Sequence, residues 1–311
     1  MENRPRVTVL GSLNMDISVT VSRLPEPGAT VLGSAARFTP GGKGANQAVA
    51  AARLGADVRM AGCVGDDDFG HRLLAALRDE GVGHEGVRVT ADAPTGLAMI
   101  SVDHAGENII TVAPGANHEV GPAEVRAALA EPQNVLVVCA EIPVEVIVAA
   151  LARHRVSILN LAPVPEPPAD GAAIVAAARP DWLVVNETEA GAVLGRPVRG
   201  LAEAGEAAAA LLTTGARHAV VTAGAHGAAH AGPDGAGTIG AFRVDAVDTV
   251  GAGDTFVGAL AVALAAGSPA AEAVRAASAA GATAATRPGA QAGMPRPADI
   301  LATTGLTWPA G

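Results

Sequence analysis

The segment Val247–Phe256, with the sequence VDTVGAGDTF, combines residue types that suit phosphoryl transfer. Gly251, Ala252 and Gly253 lead into an apolar stretch of helical length, so their backbone N–H groups would face an anion beyond the helix N-terminus. Asp254 follows in the same turn, where it could accept a proton from an attacking hydroxyl. The alternative is that Asp254 only caps the helix, but a plain cap does not need three small residues before it.

A second glycine-rich segment, residues 41–46 with the sequence GGKGAN, precedes an Ala-rich stretch of helical length. Glycines let the backbone approach a ligand, Lys43 adds a cation, and Asn46 offers both a donor and an acceptor. An ordinary glycine-rich helix start is the alternative. Two segments match GxGxxG, but the match at 81–86 follows a predicted helix, and the match at 235–240 lies between short β-like pieces and opens no helix, so neither has the context of a dinucleotide fingerprint. No P-loop pattern occurs.

Polar residues also follow several apolar runs that read as strands. Asn186 and Glu189 come after Leu183–Val185, Thr222 ends another run, and Glu141 follows a third. Ligands bind at the carboxyl ends of parallel strands in α/β folds, and carboxylates there can hold magnesium directly or through water. For Asn186 and Glu189 a capping box at a helix start is an equally good interpretation.

The elements that must position these residues alternate between short β-branched runs and Ala-rich segments. The predicted strands are Val7–Leu10, Val58–Gly62, Val135–Cys139, Ser157–Leu161, Leu183–Val185 and His218–Thr222. The predicted helices are Gly44–Leu54, Gly70–Glu80, Ala123–Ala130, Val144–Arg153, Leu201–Leu212, Thr255–Ala266 and Ala270–Thr286. Several strands are continuously apolar, as strands covered on both faces are. The rhythm predicts an α/β fold with a doubly wound, mostly parallel sheet.

Four segments break this rhythm. Asp16–Val21 alternates between polar and apolar residues, Thr30–Leu32 follows a PEPG turn, and Leu97–Asp103 and Asn108–Ala113 flank an HAGE turn typical of a hairpin. These segments predict a small separate β-sheet over the end of the main one. Such a sheet would act as a lid that excludes water when it closes.

Composition excludes several classes of function. The 311 residues carry a formal net charge of −10 and only 2% aromatic residues, with no Tyr, so neither a basic nucleic-acid surface nor a base-stacking platform is expected. No apolar stretch is long enough to span a membrane, and the first residues lack a signal peptide. Cys63 and Cys139 lie far apart in apolar runs, which predicts buried thiols in a reducing compartment rather than a zinc site. We therefore expect a cytoplasmic protein.

Taken in order, the motifs resemble the ribokinase / PfkB family of carbohydrate kinases, and within it most closely the ribokinases. The matching segments, which cover nearly the whole chain, are GSLNMD at 11–16, GGKGANQAVA at 41–50, GEN at 106–108, GAN at 115–117 and DTVGAGDTF at 248–256. The resemblance implies a Rossmann-like αβα sandwich with a small β-sheet lid, commonly paired with a second lid in a homodimer. It also implies MgATP-dependent phosphorylation of the 5-hydroxyl of D-ribose. The implied boundaries are residues 1–13, 41–95 and 117–311 for the core, and 14–40 and 96–116 for the lid.

The resemblance also implies roles for individual residues. Sugar contacts would come from Asn14, Asp16, Gly42, Lys43, Asn46 and Glu141. Nucleotide and magnesium positions would be Asn186, Glu189, Thr222, Gly224 and Gly227, with Ser278 where the family often has His or Asn beside the adenine. Gly251, Ala252 and Gly253 would form an anion hole, with Asp254 as the base. A monovalent-cation (K⁺) site would use Asp248, Val250, Ala284, Arg287 and Gly289, with Gly293 in place of a frequent Ser.

Three alternatives remain open. A kinase for another sugar or for a nucleoside is the first, although segments 15–32 and 97–113 hold no aromatic residue that could stack a base. A non-catalytic sugar sensor on the same fold is the second, and would be expected to lack Asp254 or the glycines before it. A nicotinamide oxidoreductase is the third, and it is disfavoured because both GxGxxG matches lack the required context.

Overall fold

The computed structural model describes residues 4–104, 106–130, 135–152, 156–165, 167 and 169–309. Its strands are β1 Arg6–Leu10, β2 Asn14–Thr20, β3 Arg37–Gly41, β4 Asp57–Gly65, β5 Gly83–Thr90, β6 Gly96–Val102, β7 Asn108–Ala113, β8 Val135–Cys139, β9 Ser157–Asn160, β10 Trp182–Asn186, β11 His218–Thr222, β12 Gly227–Gly232 and β13 Gly235–Gly240. Its helices are α1 Lys43–Arg53, α2 Asp68–Asp79, α3 Pro122–Ala128, α4 Val144–Leu151, α5 Ala169–Ala178, α6 Glu187–Leu194, α7 Gly200–Leu211, α8 Ala252–Ala265, α9 Ala270–Ala284, α10 Ala290–Gly293 and α11 Pro297–Thr304.

The main sheet has nine strands in the order β13-β12-β11-β10-β9-β8-β1-β4-β5. The strands from β11 to β5 pair in parallel, whereas β12 and β13 form an antiparallel edge. Helices α1, α2, α8, α9 and α11 contribute to the buried cluster on one face, and α3 to α7 to the cluster on the other. Both faces are covered because the parallel strands are apolar on both sides. The predicted αβα fold is confirmed.

A separate four-stranded sheet, in the order β3-β2-β6-β7, is formed by the alternating segments. The predicted hairpin is present: β6 and β7 pair antiparallel, with Ile100 opposite Ile110. Ala105, in the predicted HAGE turn, lies outside the described residues. We call this element the small sheet. The edge strand β7 is exposed along its whole length.

The strand predicted at Thr30–Leu32 is wrong. These residues are irregular and Leu32 is 92% exposed, so nothing packs against its side chain. The fourth strand is instead β3, which pairs antiparallel with β2 and places Thr39 opposite Asp16. A single bridge between Val21 and Gly33 is all the pairing near the predicted position.

Element ends differ from the prediction where capping groups decide them. Helix α2 begins two residues early because the Asp67 side chain accepts a hydrogen bond from the Gly70 N–H, 2.8 Å away. Helix α4 is described to Leu151, and Arg153, at the predicted end, lies outside the described residues.

The β12–β13 hairpin was not predicted, because its Gly- and Ala-rich sequence is typical of turns.

Helices α1 and α8 pack closely where α8 has a glycine. A Cβ atom on Gly258 would lie 2.7 Å from the Gln47 carbonyl oxygen and 2.8 Å from the Ala50 Cβ. The absence of a side chain therefore lets the two helices approach until polar residues in their first turns meet. Among the helices of the described ranges, none has the length and apolarity needed to cross a membrane.

Candidate active site

The start of helix α8 is built around a glycine in the left-handed region. Gly251 has a φ of +77° and occupies the N-cap position, and no side chain caps the helix. Asp254 is the third helical residue, so the structure does not support the interpretation that it only caps α8. The Ala252 N–H donates to the Thr249 carbonyl oxygen at 3.2 Å. The Gly253 N–H forms no hydrogen bond with the described residues outside α8, which leaves it available to an anion.

The Asp254 carboxylate is held by two amide side chains from the first turn of α1. Asn46 Nδ2 donates to Asp254 Oδ2 at 2.9 Å, and Gln47 Nε2 donates to Oδ1 at 3.1 Å. Gln47 is completely buried and Nε2 also donates to Asn160 Oδ1 at 2.9 Å. Each carboxylate oxygen thus has one fixed donor. The arrangement orients the carboxylate while leaving its further lone pairs free to accept a proton.

The carboxylates of Asp16, on β2, and of Glu141, which follows β8, also lie near Asp254. Ser12 Oγ donates to Glu141 Oε2, and the Lys43 backbone N–H donates to the same oxygen at 3.3 Å. Burial raises the pKa of Glu141, although Lys43 and the Ser12 hydrogen bond oppose this. The pKa of Asp16 is raised to about 7 by burial and by the negative charges of Glu141 and Asp254. These groups therefore share one poorly solvated, negatively charged region.

Lys43 supplies positive charge to this region. Burial disfavours its ammonium form, but the nearby charges of Asp254, Glu141 and Glu189 outweigh that effect and raise its pKa. Lys43 therefore stays cationic at neutral pH. The Lys43 ammonium group reduces the electrostatic repulsion between the neighbouring carboxylates. It can also donate hydrogen bonds to a bound anion or hydroxyl group.

Two adjoining cavities open at the carboxyl ends of the central strands. The smaller, of about 220 Å³, is lined by Lys43, Asn160, Ala162, Val184, Val185, Asn186, Glu189, Thr222, Thr249, Gly251, Gly253, Asp254 and Val257. The larger, of about 690 Å³, shares Thr222, Thr249 and Gly253 with it and is extended by residues 224–228, 241–244, Ala246, Ala252, Phe256, Ser278, Gly281, Ala282 and Ala285. The start of α8 lies where the two cavities meet.

Asn186 and Glu189 form the capping box that the sequence offered as an alternative. Asn186 Oδ1 accepts from the Glu189 N–H, and Glu189 Oε2 accepts from the Asn186 N–H, each at 2.8 Å. Burial nevertheless raises the pKa of Glu189, with a smaller contribution from the charge of Asp254, and the residue lines the smaller cavity. The capping role and a place in the site are therefore compatible.

Comparison with known proteins accounts for nearly the whole chain. Residues 4–297 match the family described as pfkB family carbohydrate kinase. The chain belongs to the pfkB family of carbohydrate kinases. A ribokinase from Schizosaccharomyces pombe is 38% identical over 305 residues, covering 93% of this chain and 94% of the relative. A solved ribokinase from Thermotoga maritima has a TM-score of 0.86 at 32% identity and covers 97% of this chain and 100% of its own. A ribokinase from Arabidopsis thaliana, solved with ribose and ATP, has a TM-score of 0.83 at 29% identity, covering 97% and 99%.

In this pfkB family kinase the predicted nucleotide residues fall on both cavities. Thr222 lies on both, Asn186 and Glu189 line the smaller one, and Gly224, Gly227 and Ser278 line the larger. The Ser278 hydroxyl donates to the Val274 carbonyl oxygen of its own helix at 2.8 Å. Of the predicted sugar residues, Asn46 bonds the Asp254 carboxylate, and Asp16 and Lys43 lie near enough to interact with its charge. Gly41 lies directly against Asp16, since a Cβ there would be 2.2 Å from Asp16 Oδ2.

The residues predicted to hold a monovalent cation come together beside α8. Asp248 Oδ1 accepts from the Val250 N–H at 3.0 Å, and Oδ2 accepts from the Gly289 N–H at 2.8 Å. A Cβ on Gly293 would lie 3.1 Å from the Arg287 carbonyl oxygen and 3.2 Å from that of Ala284. The Arg287 side chain turns away to Asp299, 2.7 Å distant, so only its backbone faces this cluster. Within the described ranges, no group of three or more His, Cys, Asp or Glu side chains could hold a metal ion.

Several polar residues of the kinase were not singled out by the sequence. Gln47, Asn160 and Asn117 are buried amides, and Gln291 Nε2 donates to Asn46 Oδ1 at 3.1 Å. Gln47 and Asn117 stand within the motif segments 41–50 and 115–117, but those motifs gave neither residue a role. The remaining contacts join residues that are more than 100 positions apart, and no local pattern reports them.

Proposed function

We propose that this kinase transfers the γ-phosphoryl group of MgATP to the 5-hydroxyl of D-ribose. The observation that carries the proposal is the position of Asp254, which is held by Asn46 and Gln47 and lines the smaller cavity together with Gly253. The relatives named ribokinase, and the relative solved with ribose and ATP, support the choice of substrates.

Asp254 acts as the general base in this proposal. The hydroxyl to be phosphorylated donates its hydrogen to the carboxylate, which Asn46 and Gln47 hold in one orientation. The hydroxyl oxygen attacks the phosphorus atom as the proton moves to Asp254, and the bond to the ADP oxygen breaks. The Gly253 N–H and the N-terminus of α8 stabilise the negative charge on the transferring phosphoryl oxygens.

The larger cavity suits the nucleotide. Its walls combine apolar side chains such as Phe256 and Val244 with polar groups such as Thr222 and Ser278, a mixture typical of cofactor sites. Glu189 lines the smaller cavity, and carboxylate oxygens are the donors that Mg²⁺ prefers. When bound, Mg²⁺ would neutralise charge on the phosphate oxygens.

The carbonyl oxygens of Ala284 and Arg287 support a potassium site. Both converge near Gly293, where backbone oxygens can coordinate a weakly hydrated cation without a carboxylate cluster. Asp248 bonds the Val250 and Gly289 N–H groups, so it ties this loop to the start of α8. A bound K⁺ would therefore fix the helix start without touching the sugar.

A sugar is favoured over a nucleoside by the position of the one aromatic residue in segments 14–40 and 96–116. Phe38 pairs with Ile17, so it lies on the face of the small sheet opposite Asp16. Its ring stacks on Phe69 of α2, with 5.9 Å between ring centroids. No aromatic ring of these two segments is therefore available to stack a base over Asp16. Another pentose remains the main alternative substrate.

The small sheet also supports a homodimer. Ile109, Ile110 and Val112 of the edge strand β7 are 46%, 52% and 45% exposed. An edge strand with apolar side chains and unpaired backbone groups is stabilised by pairing with or packing against another chain. A second copy of this small sheet would cover it.

The two described free cysteines, Cys63 and Cys139, are buried thiols, as suits a cytoplasmic enzyme.

A coupled assay of ADP release with a panel of acceptors tests the proposal. The panel contains D-ribose, 2-deoxy-D-ribose, D-arabinose, D-xylose and adenosine, each with MgATP in K⁺ buffer. We expect the highest kcat/KM with D-ribose and a product phosphorylated at the 5-hydroxyl, identified by NMR. A higher kcat/KM with adenosine or another pentose would show that this acceptor, and not ribose, is the preferred substrate. The same rate of ADP release without any acceptor would refute sugar phosphorylation.

A further inference from the structure

Asn117, which the mechanism above does not use, is a buried amide at the base of the small sheet. It lies in the short 3-10 turn Gly115–Glu119 that follows β7, and it is 1% exposed. Its Oδ1 accepts from the Leu13 N–H at 2.9 Å, and its Nδ2 donates to the Leu13 carbonyl oxygen at 3.2 Å. The same Nδ2 donates to Asn14 Oδ1 at 2.7 Å.

The backbone of Leu13 fixes the direction of these hydrogen bonds. A peptide N–H can only donate and a carbonyl oxygen can only accept, so the Asn117 amide has one orientation that satisfies both. Asn117 therefore donates a hydrogen bond to Asn14, and the Asn14 side chain must accept it with its oxygen. The contact is enclosed, since a Cβ on Gly96 would lie 2.3 Å from both Asn117 Nδ2 and Asn14 Oδ1.

The nitrogen of Asn14 is left as a donor on the other side of its amide. Asn14 Nδ2 forms no hydrogen bond with any of the described residues. Asn14 and Asp16 are two positions apart on β2, so their side chains project from the same face of the small sheet. An ionised Asp16 can only accept. A hydroxyl bound between these residues would accept from Asn14 and donate to Asp16.

We propose that Asn117 is a positioning residue, which sets the Asn14 amide so that its N–H groups face the sugar. This inference rests on the proposed function, because it assigns the hydroxyl-binding role of Asn14. It extends that function by assigning the donor and the acceptor of one hydrogen bond to the sugar. Asn14 donates, and the sugar hydroxyl beside it accepts. The sugar site is thereby coupled to the turn through which the chain leaves the small sheet.

A double-mutant cycle between Asn117 and Asn14 tests the proposal. The variants are Asn117→Ser, Asn14→Ala and the double variant, with KM, kcat and sugar affinity by calorimetry as readouts. Loss of one partner of a buried hydrogen bond is equivalent to about a tenfold change in an equilibrium constant, so we expect KM to rise about tenfold in Asn117→Ser, with kcat changed less than about twofold. In the Asn14→Ala background, Asn117→Ser should change KM by less than about twofold.

Asn117→Asp gives a second, independent arm. The carboxylate can only accept, so Asn14 would have to turn its nitrogen towards residue 117 and its oxygen towards the sugar. We expect KM to rise at least as much as in Asn117→Ser. The matched control is Thr95→Ala, which removes buried hydrogen bonds to Asp67 and Gly65 at the base of β6 without contacting Asn14. It should lower the melting temperature and leave KM unchanged.

The measurements use whichever acceptor of the panel the wild-type chain phosphorylates best. A different best acceptor would therefore correct the proposed substrate without deciding the role of Asn117. Multiplicative effects of Asn117→Ser and Asn14→Ala on KM would overturn the proposal, and so would a wild-type KM in Asn117→Asp. An equal rise of KM in Thr95→Ala would also overturn it, because general loosening of the small sheet would then explain the result.

Discussion

Replacement of Asp16 by Asn should make the ligand-free protein more stable while weakening sugar binding. The Asp16 carboxyl has an ordinary pKa of 3.8, and the folded protein raises it to about 7 through burial and the charges of Glu141 and Asp254. A raised carboxyl pKa means that the folded state binds a proton more tightly than the unfolded state. The ionised carboxylate therefore destabilises the fold, fully above the folded pKa and less as pH falls towards 4.

The magnitude follows from these two pKa values. The shift of the Asp16 pKa lowers the free energy of unfolding by about 4 kcal/mol at about pH 8, where the folded carboxyl is ionised, and by about 2 kcal/mol at about pH 5, where the folded state must hold it protonated. Asp16 is only partly buried, so water screens part of this cost and we expect about half of each value. Asp16→Asn should thus raise the free energy of unfolding by about 2 kcal/mol at about pH 8 and by about 1 kcal/mol at about pH 5.

Urea unfolding of the wild type and Asp16→Asn at both pH values, without sugar, measures this difference. Asp79→Asn is the matched control, because the Asp79 side chain is 77% exposed, and it should show no pH-dependent gain. Calorimetry with D-ribose should show at least about tenfold weaker binding in Asp16→Asn, since a charged hydrogen-bond acceptor is lost. A stability gain that does not depend on pH, or a loss of stability at about pH 8, would refute the electrostatic reasoning.

Three further outcomes are expected. Asp254→Asn should lower kcat by about 10²- to 10⁴-fold with ribose affinity nearly unchanged, and a near wild-type kcat would exclude Asp254 as the base. Turnover in tetramethylammonium buffer should rise when K⁺ is added, and Asp248→Asn should weaken that response; equal turnover with and without K⁺ would leave Asp248 as a structural residue. Ile110→Lys, which places a charge on the exposed edge strand, should shift a dimer to a monomer in analytical ultracentrifugation, and an unchanged sedimentation coefficient would contradict dimerisation through the small sheet.

The parts of the fold that were predictable are those with local signals. The apolar runs at Val135–Cys139 and His218–Thr222 became strands with the predicted limits, because burial on both faces demands continuous apolar sequence. The hairpin of β6 and β7 followed from alternation around a polar turn. Thr30–Leu32 has β-branched residues but no partner strand, and pairing rather than propensity decides a strand.

The candidate site was predictable only in part for the same reason. Motif residues such as Lys43 and Asp254 stand in glycine-rich segments whose chemistry can be inferred from residue types. Gln291 has no such context, and its contact with Asn46 arises because the chain returns to α1 after more than 200 residues. The pKa of Asp16 was equally beyond local reasoning, since it depends on burial in the folded protein and on the charges of Glu141 and Asp254.

The missing side chain at Gly258 has a consequence for how variants of this enzyme should be interpreted. A change to Ala there would be recorded as conservative and distant from any ligand, yet its methyl group would overlap the Gln47 carbonyl oxygen and the Ala50 Cβ. Relief of that overlap would move α1 away from α8 and lengthen the contacts that Asn46 and Gln47 make with Asp254. A saturation mutagenesis survey should therefore find Gly258 as intolerant as the motif residues, although it contacts no substrate.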